Sequence, residues 1–239
     1  PESIFQQVAA TSNRLDIDEL MVALPPRPAT AHKGHFGHVM IVGGDSGMAG
    51  AATMASQAAG RVGAGLVSCA TRPEHVPAII GRCPEVMAHG VISGQEIEPL
   101  LDRATAVVVG PGLGRGPWGE QLLQKVFKLS VPIVVDADAL NIIADGRVIK
   151  QPYKDNWILT PHPGEAARPL GCSNAEIEKD RFAAVAELQR RYGGAVILKG
   201  AGTLVADAEM TTTGLCPYGN PGMAAGGMGD VLSGVLGAL

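Results

Sequence analysis

Within NPGMAAGGMGDVLSG, Asn220 to Gly234, the chain concentrates glycines at Gly222, Gly226, Gly227 and Gly229, a single carboxylate, Asp230, and the start of an apolar run. Glycines let the backbone bend sharply and approach a ligand closely, so successive N–H groups can converge on an anion. A helix starting near Gly229 adds its unsatisfied N–H groups and its positive dipole end. Asp230 then stands beside a phosphate cradle, where a carboxylate can accept the proton of an attacking hydroxyl. An ordinary glycine turn with Asp230 as the N-cap accounts for the same residues without chemistry.

Other chemistry-bearing segments recur along the chain. In LTPHPGE, Leu159 to Glu165, two prolines hold His162 in an extended loop, where its ring can meet a ligand, shuttle a proton or hold backbone. KGAGT, Lys199 to Thr203, sets a point charge next to exposed glycine backbone, suited to a nucleotide or simply to a β-turn. VDADALN places Asp136 and Asp138 at a strand end. There they could hold Mg²⁺ through water, orient a hydroxyl, or favour a helix N-terminus. GGDSGMAGAA (Gly43 to Ala52) and GPGLGRG (Gly110 to Gly116) are small-residue turns against which a ligand could lie. Neither keeps the spacing of a dinucleotide fingerprint or of a Walker A loop. His32, His35 and His38 are spaced three apart, but Gly34 and Gly37 interrupt any helix between them, and no metal site is expected.

The elements that must position these residues read as alternating strands and helices. Val39–Val42, Gly65–Ala70, Ala106–Gly110, the start of PIVVDADAL from Pro132, Trp157–Thr160 and Ala195–Gly200 are short, uniformly apolar runs. Helical patterns fall at Ala49–Gly60, after Pro73, at Trp118–Leu129, near Ala137, over Asn174–Tyr192 as one charged helix, and from Asp230 to Leu239. TLVAD and Glu209–Thr213 read as a hairpin. Such alternation predicts a sheet buried on both faces, with ligands at the carboxyl ends of its strands. Nearly every motif above directly follows a strand, so the motifs share one edge. Residues 1–31, with LPPRPATA at their end, read as a lead-in or linker, and 32–239 as one domain.

Composition agrees. Hydrophobic residues are 46% and charged residues 18% of 239, enough for a packed core, and 32 glycines beside 4% aromatics favour tight helix–sheet packing. A net charge of −4 argues against general nucleic-acid binding. Four scattered cysteines without a CxxC pair fit a reducing, cytoplasmic setting. No apolar run is long enough to span a bilayer, and no signal-peptide pattern opens the sequence.

Taken in order, HKGHFGHVMIVGG, GMAGAA, GPGLG, VDADALN, TPHPGEAARPLG, LKGAGT and GNPGMAAGGMGDVLSG resemble the ADP-dependent NAD(P)H-hydrate dehydratase family. The likeness runs from about Lys33 to Leu239 and is strongest to the C-terminal half of bifunctional bacterial members. It implies a ribokinase-like three-layer α/β/α sandwich around a mostly parallel sheet. It implies repair of (6S)-NADHX or NADPHX, with ADP (or ATP) as phosphoryl donor, AMP and phosphate as products, and Mg²⁺ in attendance.

Carried over by position, Asp230 is the catalytic carboxylate. Gly50, Ala51, Gly112 and His162 join it around the hydrate. Lys199, Gly200, Ala201, Gly202 and Thr203, with Asn220, Gly226, Gly227, Met228 and Gly229, line the nucleotide; no protein metal ligands are implied. Asp230 would take the proton of the C6 hydroxyl as that oxygen attacks the β-phosphate, with a pKa lowered by the helix N-terminus. The likeness further implies an epimerase domain, fused or separate, a tetramer, and a chain cut short at Leu239. Pro221 departs from the small residue expected there. A ribokinase-fold kinase of a thiamine-precursor alcohol and a non-catalytic adenine-nucleotide sensor are the alternative readings.

Overall fold

The computed structural model describes residues 10–150, 152–210 and 212–239. The part of the lead-in before residue 10 lies outside the described residues, as does Thr211 in the expected hairpin. Among the described residues, ten strands form one sheet in the order β1-β10-β9-β8-β7-β6-β5-β2-β3-β4. Its centre comprises β2 (His38–Val42), β3 (Leu66–Thr71), β4 (Met87–Gly90), β5 (Ala106–Val109), β6 (Ile133–Val135), β7 (Trp157–Leu159) and β8 (Ala195–Leu198). These seven run parallel, while β9 (Thr203–Ala206) is antiparallel to both β8 and β10 (Thr213–Cys216). β1 (Ser12–Arg14) adds the last edge, parallel to β10. Among the described residues of the expected Glu209–Thr213 strand, only Thr213 belongs to β10. Asp207 Oδ1 accepts from the N–H groups of Glu209 and Met210, which turns the chain between Asp207 and Met210.

Alternation along the apolar strands divides the core into two layers. Val39, Ile41, Val108 and Val134 face one side, against α2 (Ala49–Val62), α3 (Val76–Arg82) and α10 (Met228–Ala238). Met40, Val42, Val107, Val109, Ile133 and Val135 face the other. There they meet α4 (Gly94–Leu101), α5 (Pro117–Val126), α6 (Ala137–Asp145), α7 (Pro163–Leu170), α8 (Asn174–Lys179) and α9 (Arg181–Tyr192). A short α1 (Ile17–Met21) follows β1. Helix, sheet and helix make the three-layer sandwich.

Further elements depart from the sequence reading, β1 and α1 among them, which fall in the stretch read as a lead-in. The single helix expected over Asn174–Tyr192 is two, because Asp180 leaves helical geometry (φ −147°, ψ 81°) and caps α9 by accepting from the Ala183 N–H at 2.9 Å. β4 escaped notice because MAHG is short, partly exposed and without the β-branched run of its neighbours.

Candidate active site

All the parallel strands run in one direction, so the segments after β2, β5, β6, β7 and β8 emerge on one edge of the sheet. The glycine turns after β2 and β5 are bonded to each other. Gly44 N–H donates to Pro111 O at 3.0 Å and Asp45 N–H to Gly112 O at 2.6 Å. Asp138 Oδ2 accepts from the Gly114 N–H at 3.0 Å on the other side of the second turn. Arg72, at the end of β3, pairs with Asp45 at 2.7 Å and lies over the Trp118 ring. Gly112 is required here: its φ is +56°, and a Cβ would lie 2.8 Å from the Met48 Cβ. Ala51, in the first turn of α2, also borders Gly112, where a Cβ would lie 3.1 Å from the Ala51 Cβ; at Gly50 a Cβ would meet nothing within 4 Å.

Asp136 is the hub of the edge. It is 1% exposed, yet both carboxylate oxygens are satisfied. Oδ1 accepts from Thr160 Oγ1 at 2.7 Å and from Lys199 Nζ at 2.9 Å, and Oδ2 accepts from Ser233 Oγ at 2.7 Å. One buried charge thereby ties β6, β7, β8 and α10 together, which meets the rule that a buried charge persists only when paired and hydrogen-bonded. The following residue, Ala137, is held at φ +48°, a left-handed conformation costly for a side chain with a Cβ. Asp136 thus accepts from three protein donors, and Asp138 from a loop N–H. Among the described residues no group of three or more His, Cys, Asp or Glu could hold a metal ion. Thr160 and Ser233 are partners the sequence reading missed, although Ser233 falls one turn after Asp230.

Asp230 lies in the first turn of α10, whose N-cap is Gly227, so the N-cap alternative for Asp230 does not hold. The expected lowering of its pKa is also overturned. Burial raises it to about 6, reinforced by the negative charges of Asp136, Asp138 and Glu165 and opposed by Lys199. A helix N-terminus acts through a few exposed N–H groups, whereas here partial burial and three carboxylates act together. The result is a better base at neutral pH than a surface aspartate. Lys199 also lies 3.6 Å from Glu165 Oε2. At Gly229 a Cβ would meet Lys199 Nζ at 3.3 Å, so the bare backbone keeps α10 close to that ammonium.

His162 is the N-cap of α7. Its Nδ1 accepts from the Glu165 N–H at 3.2 Å, and Glu165 Oε2 accepts from the His162 N–H at 2.8 Å. One ring nitrogen thus holds backbone, while the other, Nε2, lies 3.6 Å from Glu165 Oε1 in a side chain that is 57% exposed. Asn220 accepts from the Gly222 N–H at 2.9 Å, turning an exposed loop that runs from Asn220 through Gly226 to the N-terminus of α10. Lys199 to Thr203 forms the β8–β9 turn, closed by Thr203 Oγ1 donating to Gly200 O at 3.0 Å.

This sheet order, with a half-buried carboxylate and an ammonium between glycine turns at its carboxyl edge, defines a ribokinase-like α/β protein. A ribokinase-like superfamily protein from Enterococcus faecalis is similar over 97% of the chain and 80% of its own, at TM-score 0.85 and 27% identity. The chain belongs to the NAD(P)H-hydrate dehydratase family, whose pattern it matches over residues 39–239.

It is 51% identical over 238 residues to the bifunctional NAD(P)H-hydrate repair enzyme of Coxiella burnetii, covering all of this chain and 48% of that protein. It is 40% identical to the ADP-dependent (S)-NAD(P)H-hydrate dehydratase of Neisseria meningitidis, covering 89% of this chain and 72% of that one. The ADP/ATP-dependent NAD(P)H-hydrate dehydratase of Bacillus subtilis, co-crystallized with ATP/Mg²⁺, is similar at TM-score 0.81 and 30% identity, over 92% of this chain and 78% of that one. The chain spans about half the length of the first bifunctional relatives it matches, 48% and 43%.

Proposed function

We propose that the chain dehydrates hydrated NADH and NADPH at the expense of ADP. The observation that carries this reading is Asp230: a half-buried carboxylate with a pKa of about 6, set between an ammonium and a glycine-rich helix N-terminus. In the proposed reaction the C6 hydroxyl oxygen of the hydrate bonds to the β-phosphorus of ADP, the bridging P–O bond breaks, and AMP leaves. Asp230 takes the hydroxyl proton. The C6–O bond then breaks with release of phosphate, and loss of the C5 proton restores the dihydropyridine. Lys199 and the N–H groups of Gly226, Gly227, Met228 and Gly229 face the charge that develops on the transferred phosphoryl.

Gly50, Ala51, Gly112 and His162 form the hydrate side of the site, and the Lys199–Thr203 turn with Asn220 forms the nucleotide side. The exposed, side-chain-free backbone at Gly226, where a Cβ would meet nothing within 4 Å, leaves room for a nucleotide phosphate. Mg²⁺ would be carried by the phosphates of the nucleotide, since Asp136 and Asp138 already accept from protein donors, and would supply neutralisation of phosphate charge. ADP is proposed as the donor after the Neisseria meningitidis relative, with ATP as the alternative after the Bacillus subtilis one. An epimerase acting alongside, a tetrameric assembly and a cytoplasmic setting, the last consistent with four free cysteines, belong to the same proposal. Among the described residues no helix is long and apolar enough to cross a membrane.

The test mixes the protein with NADHX, Mg²⁺ and ADP and follows the reduced-nicotinamide absorbance, with ATP and nucleotide-free controls. Recovery that requires nucleotide is the expected outcome. ADP binding without recovery would favour the sensor, and phosphorylation of a small alcohol the kinase.

A further inference from the structure

Arg181 opens α9, a position where a cation opposes the helix dipole and gains nothing from local helix energetics. Among the described residues no carboxylate lies within ion-pair distance of it, and its Nε is buried without a partner. Its guanidinium is instead spent on one turn. Nη1 donates to Ala201 O at 2.9 Å, and Nη2 donates to Leu198 O and Lys199 O, each at 3.3 Å. Gly200, at φ +150°, accommodates this arrangement: a Cβ there would come within 2.7 Å of Nη2.

The consequence follows from peptide geometry. In a planar trans peptide the N–H points opposite to the C=O of the preceding residue. With the Lys199 and Ala201 carbonyls turned onto the guanidinium, the N–H groups of Gly200 and Gly202 face away from it, out of the turn. The Lys199 N–H is bonded to Pro161 O at 2.9 Å on the far side, which fixes the strand end from that direction. Carbonyl dipoles that would repel phosphate or ribose oxygens are thereby turned inward, and amide donors outward.

We propose that Arg181 is a positioning residue for the adenine nucleotide, holding the Lys199–Thr203 turn so that the Gly200 and Gly202 N–H groups meet the nucleotide's acceptor oxygens. This rests on the nucleotide reading of that turn given above. A planar fork serves three carbonyls at once, which a lysine ammonium cannot reproduce with the same geometry.

Direct ADP binding by calorimetry, alongside steady-state kinetics, tests it on wild type, Arg181→Ala and Arg181→Lys. Losing charge-assisted hydrogen bonds of this kind predicts ADP affinity weakened about tenfold or more in Arg181→Ala. The Michaelis constant for the hydrate should stay unchanged, Arg181→Lys should be only partly restored, and added guanidinium ion should rescue Arg181→Ala. Unchanged ADP affinity in a folded Arg181→Ala variant overturns the proposal, as does equal loss of affinity for ADP and the hydrate. If wild type binds ADP without turnover, the dehydratase reading fails while the affinity comparison still decides on Arg181. If wild type binds no ADP, both fall.

Discussion

Two glycine-rich regions border the site and are built in opposite ways. The turns after β2 and β5 are bonded to each other through Gly44–Pro111 and Asp45–Gly112, braced by Asp138 and by the Arg72–Asp45 pair. The loop from Asn220 to Gly226 is exposed and is turned by the Asn220–Gly222 bond. Similar composition thus yields a fixed platform on one side and an open approach on the other. The difference lies in what surrounds each glycine: Gly112 sits where a Cβ would strike Met48, while Gly226 faces open space. On the proposed function, the hydrate meets a preformed surface and the nucleotide enters from the open side.

Between these regions stands Asp230, and removing it should have the largest effect. Asp230→Asn is expected to lower turnover about 10²- to 10⁴-fold, the usual worth of a positioned base, with ADP binding retained. Stopped-flow recovery of nicotinamide absorbance measures it, and near-full turnover would reduce both regions to a binding surface.

A smaller effect is expected from Asp136→Asn. It releases Lys199 and Ser233 and should cost about tenfold in kcat/KM, the scale of a hydrogen bond to a charged group. It should also move the acid limb of the pH profile. With a carboxylate base near pKa 6, kcat/KM rises as pH climbs through that value. Removing the negative charge of Asp136, while Lys199 stays and Asp138 and Glu165 remain, lowers the Asp230 pKa, so the limb shifts to lower pH. A purely structural role would lower activity at every pH without moving the limb.

The mildest variants probe the platform against the open loop directly. Gly112→Ala should destabilise by about 1–3 kcal/mol, because alanine must take a left-handed conformation against Met48. Gly226→Ala should stay within about 0.5 kcal/mol in the same chemical-denaturation experiment. Equal losses would erase the contrast between the two regions.

Much of this arrangement was legible from local pattern. The runs at Val39–Val42, Ala106–Val109 and Ala195–Leu198 are uniformly apolar because both faces of a parallel sheet are covered, and that signature needs no tertiary knowledge. The placement of glycine and polar motifs after those runs put them on one edge. Less legible were elements whose identity depends on neighbours. MAHG becomes β4 only because β3 offers it a ladder, and the break at Asp180 is one capping bond inside an otherwise continuous helical pattern. Arg181 reads as one charge among many on an amphipathic helix until the β8–β9 turn is seen folded over it.

The sequence by itself determined the α/β alternation, the shared edge and the residue types gathered there, since periodicity and turn chemistry are local properties of the chain. The tertiary structure alone decided which charges meet. Asp136, Lys199 and Ser233 are separated by 63 and 97 residues from the hub outward, yet they share one buried carboxylate. The pKa of Asp230 follows from that meeting, because desolvation and charge–charge distance exist only once the sheet and α10 have closed around it.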